Sequence, residues 1–212
     1  MPSLPDEQVE RALAIVAHPD DTEFWAGGTI AQWAQSGIKV TYCVLTDGEG
    51  GGFDPAIPRR DIPASRESHE DLVRIIRQAR PQRILTWSPE WNWPQFRSCH
   101  PDHLATGAAA LTAIYPDAGN PFAPPHLTGD GLHAWTVREA WLLNSPAREI
   151  NHYVDITDTF DRKVAAVRAH RSQVKDPDTL PERLRERISG NAAVAGLPED
   201  RLAEAFQVVA TG

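Results

Sequence analysis

The sequence predicts an α/β fold with a mostly parallel sheet, and three observations support this class. Residues 12–17 are six consecutive apolar residues, as in a short strand buried on both faces. A helical pattern follows from about residue 22, and residues 38–46 have the apolar character of a second strand. A strand, a helix and a strand in such a short stretch form a β-α-β unit, whose two strands run parallel.

The later part of the chain continues this alternation. Helices are predicted over residues 65–80, 104–114 and 157–170, and strands over residues 82–87, 135–144 and 153–156. Two amphipathic segments, residues 182–188 and 199–208, predict a helical C-terminal tail that begins near residue 158. The sequence shows no internal repeat and no long linker, so we expect one domain over residues 1–212.

Composition narrows the class of protein. The chain has 212 residues, 41% of them hydrophobic, and a net charge of −8, which argues against a nucleic-acid partner. Its apolar runs are shorter than the roughly 18 to 20 residues of a membrane span, and its N-terminus lacks the apolar region of a secretory signal. Cys43 lies in a strand pattern and Cys99 beside a histidine, a spacing that fits neither a disulfide framework nor a zinc knuckle. We therefore expect a cytoplasmic protein without a membrane partner.

The first predicted strand ends abruptly at His18, Pro19, Asp20 and Asp21. Pro19 disfavours the helical conformation at His18, so a turn is expected there. In open α/β sheets the carboxyl ends of the strands line the ligand crevice. Because the turn lies at such an end, we interpret His18 and Asp21 as two metal ligands, with Asp20 free between them. The alternative is that Asp20 or Asp21 caps the next helix and that His18 is incidental.

A second turn of similar composition, His100 to His103, precedes a predicted buried helix. Proline and aspartate are favoured in the first turn of a helix, so His103 can project from that turn toward the crevice. A histidine pair at a helix start is often structural. The repetition of a His-Pro-Asp turn at a second element boundary favours a functional role instead.

Together the two turns supply the groups of a metal-dependent hydrolase. Catalytic zinc sites use three His, Asp or Glu ligands and leave one position for water, and His18, Asp21 and His103 form such a set. Asp20 is then placed to take a proton from the water. His100, oriented by Asp102, could donate a proton to a leaving nitrogen or stabilise an oxyanion. These roles together describe hydrolysis of an amide.

Two loops carry less specific signals. The glycine-rich residues 47–52 follow the second strand and lack the spacing of a dinucleotide or P-loop motif, so we expect them to form a rim of the site, with Asp47 near a metal ligand. Trp91 and Trp93 lie in the loop after the third strand. They indicate a packed lid or an interface, or alternatively a surface that stacks against a sugar ring.

The sequence resembles the PIG-L/LmbE-like zinc-dependent N-deacetylases, which include sugar deacetylases of mycothiol and bacillithiol synthesis. The matching segments are residues 17–23, 27–29, 46–48 and 100–103, with weaker support from residues 154–157, 163 and 170–173. The resemblance implies a Rossmann-like three-layer sandwich of the LmbE type. It also implies hydrolysis of an N-acyl group, commonly acetyl, from a small amino sugar or related conjugate.

The resemblance assigns a role to each site residue. It implies Zn²⁺, or another divalent metal such as Fe²⁺, held by His18, Asp21 and His103. It also implies Asp20 as the general base and an acid or oxyanion role for His100. Arg66 is matched with a substrate-contacting arginine of the family.

The sequence departs from the family pattern after Arg66. Family members carry a further strand and an acidic substrate loop there, whereas residues 66–80 here run straight into one helix, with His69 where a glutamate would align. The alternative function is therefore a catalytically impaired, metal-binding relative. Loss of a strand and helix would also expose apolar surface, which a homo-oligomer interface could cover.

Overall fold

The computed structural model describes residues 3–46, 48, 66–122 and 124–212, and for residues 66–68 it describes the backbone alone. Its strands are β1 (Arg11–Val16), β2 (Lys39–Val44), β3 (Arg83–Trp87), β4 (Glu139–Leu143), β5 (His152–Asp155) and β6 (Ala203–Ala210). Its helices are α1 (Asp21–Gln35), α2 (Arg66–Ala79), α3 (Pro101–Thr112), α4 (Pro125–Gly129), α5 (Phe160–Ala169) and α6 (Leu180–Val194). None of these helices is both long and apolar enough to cross a bilayer.

The strands form one six-stranded sheet in the order β2-β1-β3-β4-β6-β5. Strands β1 to β4 pair in parallel, and β6 runs antiparallel to both of its neighbours. The predicted α/β class with a mostly parallel sheet is therefore confirmed. The parallel pairing brings the carboxyl ends of β1 and β3 to the same edge, where the two His-Pro-Asp turns begin.

Both faces of the sheet are covered by helices because alternate residues of each strand point to opposite sides. On one face, Leu13 and Ile15 pack in a buried cluster with α2 and α3 residues such as Ile76. On the other face, Ala12 and Ala14 pack with α1, including the buried Trp33. Every residue of β1 after Arg11 is buried, as the apolar run predicted.

The predicted helical tail is wrong in its last part. Helices α5 and α6 are present, but the segment predicted as a helix over residues 199–208 contains β6, which lies between β4 and β5. Its apolar residues satisfy both helical and alternating patterns, and a short run of this kind cannot be assigned from periodicity alone. Pairing with the two neighbouring strands decides the outcome, and Phe206 becomes fully buried.

Helix α1 contains a break at Ala26, whose backbone angles (φ −136°, ψ 15°) are not helical. The ammonium of the buried Lys163 on α5 lies at this break. It donates hydrogen bonds to the carbonyls of Phe24 (2.8 Å) and Glu23 (3.2 Å), and it pairs with Glu204 on β6 at 2.6 Å. A buried ion pair therefore fixes the short first segment of α1.

The Glu204 carboxylate binds the donor groups on the C-terminal side of the break. It accepts hydrogen bonds from the backbone amides of Gly28 (3.1 Å) and Thr29 (2.8 Å) and from the Thr29 hydroxyl (2.6 Å). A side chain at Gly28 would come within 2.6 Å of Ile156, so only glycine fits there. The Gly-Gly-Thr motif thus allows α5 and β6 to hold α1 in place.

Candidate metal centre

The two His-Pro-Asp turns meet at the carboxyl edge of the sheet. His18 Nδ1 lies 3.1 Å from His103 Nε2, and Asp21 Oδ1 lies 3.5 Å from the first atom and 3.2 Å from the second. The structure therefore brings together the side chains of all three predicted ligands, which come from the loop after β1 and the first turns of α1 and α3.

The spacing of these atoms fits a divalent cation. In a tetrahedral zinc site with bonds of about 2.0–2.1 Å, ligand atoms are about 3.3 Å apart. The three distances between the predicted ligand atoms, from 3.1 to 3.5 Å, lie on both sides of that value. Two imidazoles and one carboxylate are also a donor set that zinc and other transition metals accept.

The outer ring nitrogens of the two histidines are held by acceptors. His103 Nδ1 lies 2.9 Å from the carbonyl oxygen of Ser98, to which it can only donate a proton. His18 Nε2 lies 3.1 Å from Asp102 Oδ2. Both contacts favour the tautomer that leaves an unprotonated nitrogen facing the cluster, as a metal ligand requires.

Asp21 is oriented by three hydrogen bonds. Its Oδ2 accepts from the backbone amides of Ala17 (3.0 Å) and His18 (2.9 Å) and from Trp87 Nε1 (2.8 Å), so Oδ1 faces the histidines. Burial by itself would raise the pKa of Asp21, but without a cation, hydrogen bonds from the protonated forms of His103 and His18 outweigh it and hold that pKa far below the ordinary value. The carboxylate thus turns back toward the strand, unlike the helix cap considered in the alternative reading.

The same contact affects His18. Its hydrogen bond to Asp21 raises the pKa of the His18 imidazole, and burial only partly offsets this. Because a metal ligand must be unprotonated, protons and a cation compete for His18 increasingly as the pH falls.

Trp87, the last residue of β3, is a site residue that the sequence analysis missed. Besides its bond to Asp21, its buried indole stacks on the His103 ring with a centroid distance of 3.6 Å and an interplanar angle of 6°. A single side chain therefore orients two of the three predicted ligands. The sequence does contain one signal for this role, because Trp87 is the last residue of a buried strand, at the edge of the sheet where the predicted ligands lie.

Replacing Trp87 with phenylalanine tests this arrangement. The variant keeps an aromatic ring beside His103 but removes the hydrogen bond to Asp21, and loss of such an outer contact commonly weakens metal binding by 10- to 100-fold. We expect about a tenfold weaker affinity in competition with a chromogenic chelator. A Trp135→Phe variant, which removes a bond to the carbonyl of Pro81 far from the cluster, should bind as the wild type does. Equal affinities in all three proteins would contradict the role of Trp87.

Asp20 lies at the N-cap position of α1, but its side chain makes no capping hydrogen bond. Burial and the adjacent charge of Asp21 raise its pKa above the ordinary value for an aspartate. A carboxylate with a raised pKa and no capping role is available to accept a proton. His170, which follows the C-terminal end of α5, lies near Asp20, and its Nε2 is 3.3 Å from Glu23 Oε2.

His100 and Asp102 form the outer part of the cluster. Asp102 Oδ2 lies 3.1 Å from His18 Nε2 and 3.4 Å from His100 Nδ1, so the aspartate that was expected to orient His100 contacts His18 more closely. His100 Nδ1 accepts the Asp102 backbone amide at 3.3 Å, which leaves Nε2 as its donor. Desolvation lowers the pKa of His100, whose side chain is still 54% exposed.

Two predicted features lie wholly or partly outside the described residues. Asp47 and most of the glycine-rich loop are among residues that the structure does not describe, and for Arg66 only its backbone position at the start of α2 is given.

Cys99 is buried, and it contacts the backbone of Asn92 instead of the metal cluster.

The PIG-L family model, described as GlcNAc-PI de-N-acetylase, matches residues 13–67. A diacetylchitobiose deacetylase from Thermococcus kodakarensis is 29% identical over an alignment 200 residues long, which includes 80% of this chain and 72% of that protein. This chain is a relative of the PIG-L/LmbE-like N-deacetylases. Another relative, the 1D-myo-inositol 2-acetamido-2-deoxy-alpha-D-glucopyranoside deacetylase of Rhodococcus erythropolis, is 25% identical over an alignment 250 residues long, which includes 78% of this chain and 81% of that protein.

Solved structures extend the PIG-L/LmbE-like relationship to the whole fold. The N,N'-diacetylchitobiose deacetylase of Pyrococcus horikoshii matches 97% of this chain and 85% of its own, with a TM-score of 0.83 and 26% identity. The 4-carboxy-2-hydroxymuconate hydratase GalB of Pseudomonas putida matches 94% of this chain and 96% of its own with a TM-score of 0.67, but at 16% identity it shares the fold alone. Since its name describes different chemistry, function has to be argued from the site.

Proposed function

We propose that this PIG-L/LmbE-like protein is a metal-dependent deacetylase that removes an N-acetyl group from a small amino sugar or related amide. The observation that carries the proposal is the triangle of His18 Nδ1, Asp21 Oδ1 and His103 Nε2. Asp20, the neighbour of Asp21 in the chain, makes no capping hydrogen bond. The names of the relatives support the same reaction class, because they are deacetylases of N-acetylated amino sugars.

Each residue has a distinct task in this proposal. His18, Asp21 and His103 would hold the cation, which when bound lowers the pKa of water and polarises an amide carbonyl. Asp20 accepts the proton of the attacking water. His100, through Nε2, stabilises the oxyanion or passes a proton to the leaving nitrogen. Trp87 and Asp102 orient the ligands, and Arg66 contacts the substrate.

Zinc is the metal we propose, because two imidazoles, one carboxylate and an open position match its catalytic sites. Fe²⁺ is accepted by the same ligand types. We further propose that residues 1–212 act as one domain in the cytoplasm, on small molecules and without a nucleic-acid partner.

The function is tested by metal analysis followed by an assay of amine release. Purified protein should contain about one equivalent of metal and should release primary amine from N-acetylglucosamine or N,N'-diacetylchitobiose. Chelation should abolish release, and added Zn²⁺ or Fe²⁺ should restore it. Absence of both bound metal and hydrolysis after metal addition would refute the proposal.

One observation favours a second candidate, a metal-binding relative with impaired turnover. The alignment with the Thermococcus protein extends over 200 residues yet takes in only 80% of this 212-residue chain, so that relative has residues with no counterpart here. This agrees with the segment that the sequence lacks after Arg66. Stoichiometric metal binding without release of amine from a panel of N-acylated amino sugars would select this candidate.

A further inference from the structure

Three aromatic side chains form an exposed surface in the connection between β3 and α3. Trp91, Trp93 and Phe96 are 43%, 68% and 57% exposed. Their ring centroids lie 5.3 to 6.3 Å apart, and their planes are within 16° of parallel. We call this group the aromatic platform. Three large, nearly parallel rings in water are a feature that marks binding surfaces in soluble proteins.

The platform is built on a buried polar anchor. Asn92, between the two tryptophans, is buried, and its side-chain amide donates to Asn144 Oδ1 (3.2 Å) and to the carbonyl of Ser145 (3.1 Å). Its backbone amide donates to the buried Cys99 thiol at 3.2 Å. The rings are thus exposed on a segment that is fixed at both ends, so the surface is formed before any ligand arrives.

The same segment belongs to the metal centre. The Ser98 carbonyl that accepts from His103 follows Phe96 by two residues, a distance of at most about 7 Å along the chain. His100, the proposed oxyanion or proton donor, follows two residues later. The platform therefore lies within a few residues of two groups of the site, close enough for a substrate longer than one sugar to contact both.

We propose that the aromatic platform is a saccharide subsite, which binds the sugar next to the one that carries the scissile N-acetyl group. This inference rests on the proposed function and narrows it to substrates of at least two sugar units. A pyranose presents an apolar C–H face and a rim of hydroxyls. Nearly parallel rings match the face, and the exposed Gln95 and Arg97 that alternate with them can bind the hydroxyls.

The test compares Trp93→Ala and Phe96→Ala with the wild type on N-acetylglucosamine and N,N'-diacetylchitobiose. We expect each variant to lower kcat/KM for the disaccharide by about tenfold, the size of one aromatic stacking contact, and to leave the monosaccharide unchanged. Phe122→Ala is the matched control, because that ring is 80% exposed and lies beyond the C-terminal end of α3. Equal losses on both sugars, or the same loss in the control, would overturn the proposal.

Binding is measured separately, so that a failure of the proposed reaction is distinguishable from a failure of the subsite. Calorimetric titration of the metal-loaded protein with the same disaccharide should show affinity that both platform variants weaken, whether or not the sugar is hydrolysed. A wild type that does not bind the disaccharide would overturn the subsite. So would light scattering that shows a wild-type dimer and a monomeric Trp93→Ala variant, because the platform would then be an interface between copies.

Discussion

Replacing Asp20 with asparagine is expected to lower kcat for amine release by about a thousandfold while leaving the metal content at the wild-type level. The substitution removes a proton acceptor worth roughly 10²- to 10⁴-fold in rate, with little change in shape. Metal binding should persist because the predicted ligands are His18, Asp21 and His103, and because the Asp20 side chain forms no capping bond that α1 requires.

Two companion variants make this result specific. Asp21→Asn should lose metal as well as activity, because it alters a predicted ligand whose three accepted hydrogen bonds fix the site. Asp130→Asn changes an exposed aspartate paired with Arg74 and should change neither. The measurements are metal content by mass spectrometry and steady-state kinetics. Full activity in Asp20→Asn would remove this residue from its role as the base.

Replacing Glu204 with glutamine is expected to lower the free energy of unfolding by about 3–5 kcal/mol, as is typical when one partner of a buried ion pair is removed. Lys163 and Glu204 are 0% and 1% exposed, so the ammonium would stay buried without its counter-charge. The glutamine would also accept poorly from the two amides of Gly28 and Thr29, since only one of its terminal atoms is an acceptor.

Urea denaturation of the metal-free protein measures this effect without a contribution from bound cation. The same substitution at Glu90, which is 50% exposed and pairs with Arg148, should change stability by less than about 1 kcal/mol. Removing both charges with Lys163→Met in the Glu204→Gln background should recover part of the loss. If Glu204→Gln were as stable as Glu90→Gln, the buried pair would not hold the break in α1.

The parts of the site that could be predicted from the sequence are those whose signals are local. An apolar run followed by proline is sufficient to place His18 at the end of β1, and the second turn is similar enough to pair His103 with it. The short apolar pattern of β6 fits a helix as well as a strand, and only its pairing with β4 and β5 decides between them.

Contacts between distant segments left no pattern that sequence reasoning could use. Trp87 looked like an ordinary strand residue, because its contacts with Asp21 and His103 exist only once β1 and β3 are adjacent. Similarly, Lys163 and Glu204 are far apart in the chain and meet only at the break in α1. Charge and apolar content alone would have placed both on the surface.

The ion pair between α5 and β6 has a consequence for synthesis of the protein. Asp21 is translated early, yet the helical segment that carries it is held by Lys163, whose ammonium pairs with the carboxylate of Glu204. We therefore expect the predicted metal centre to be completed only after residue 204 has emerged from the ribosome. Binding of a cation at this predicted site is accordingly expected to be a late event in the maturation of this protein.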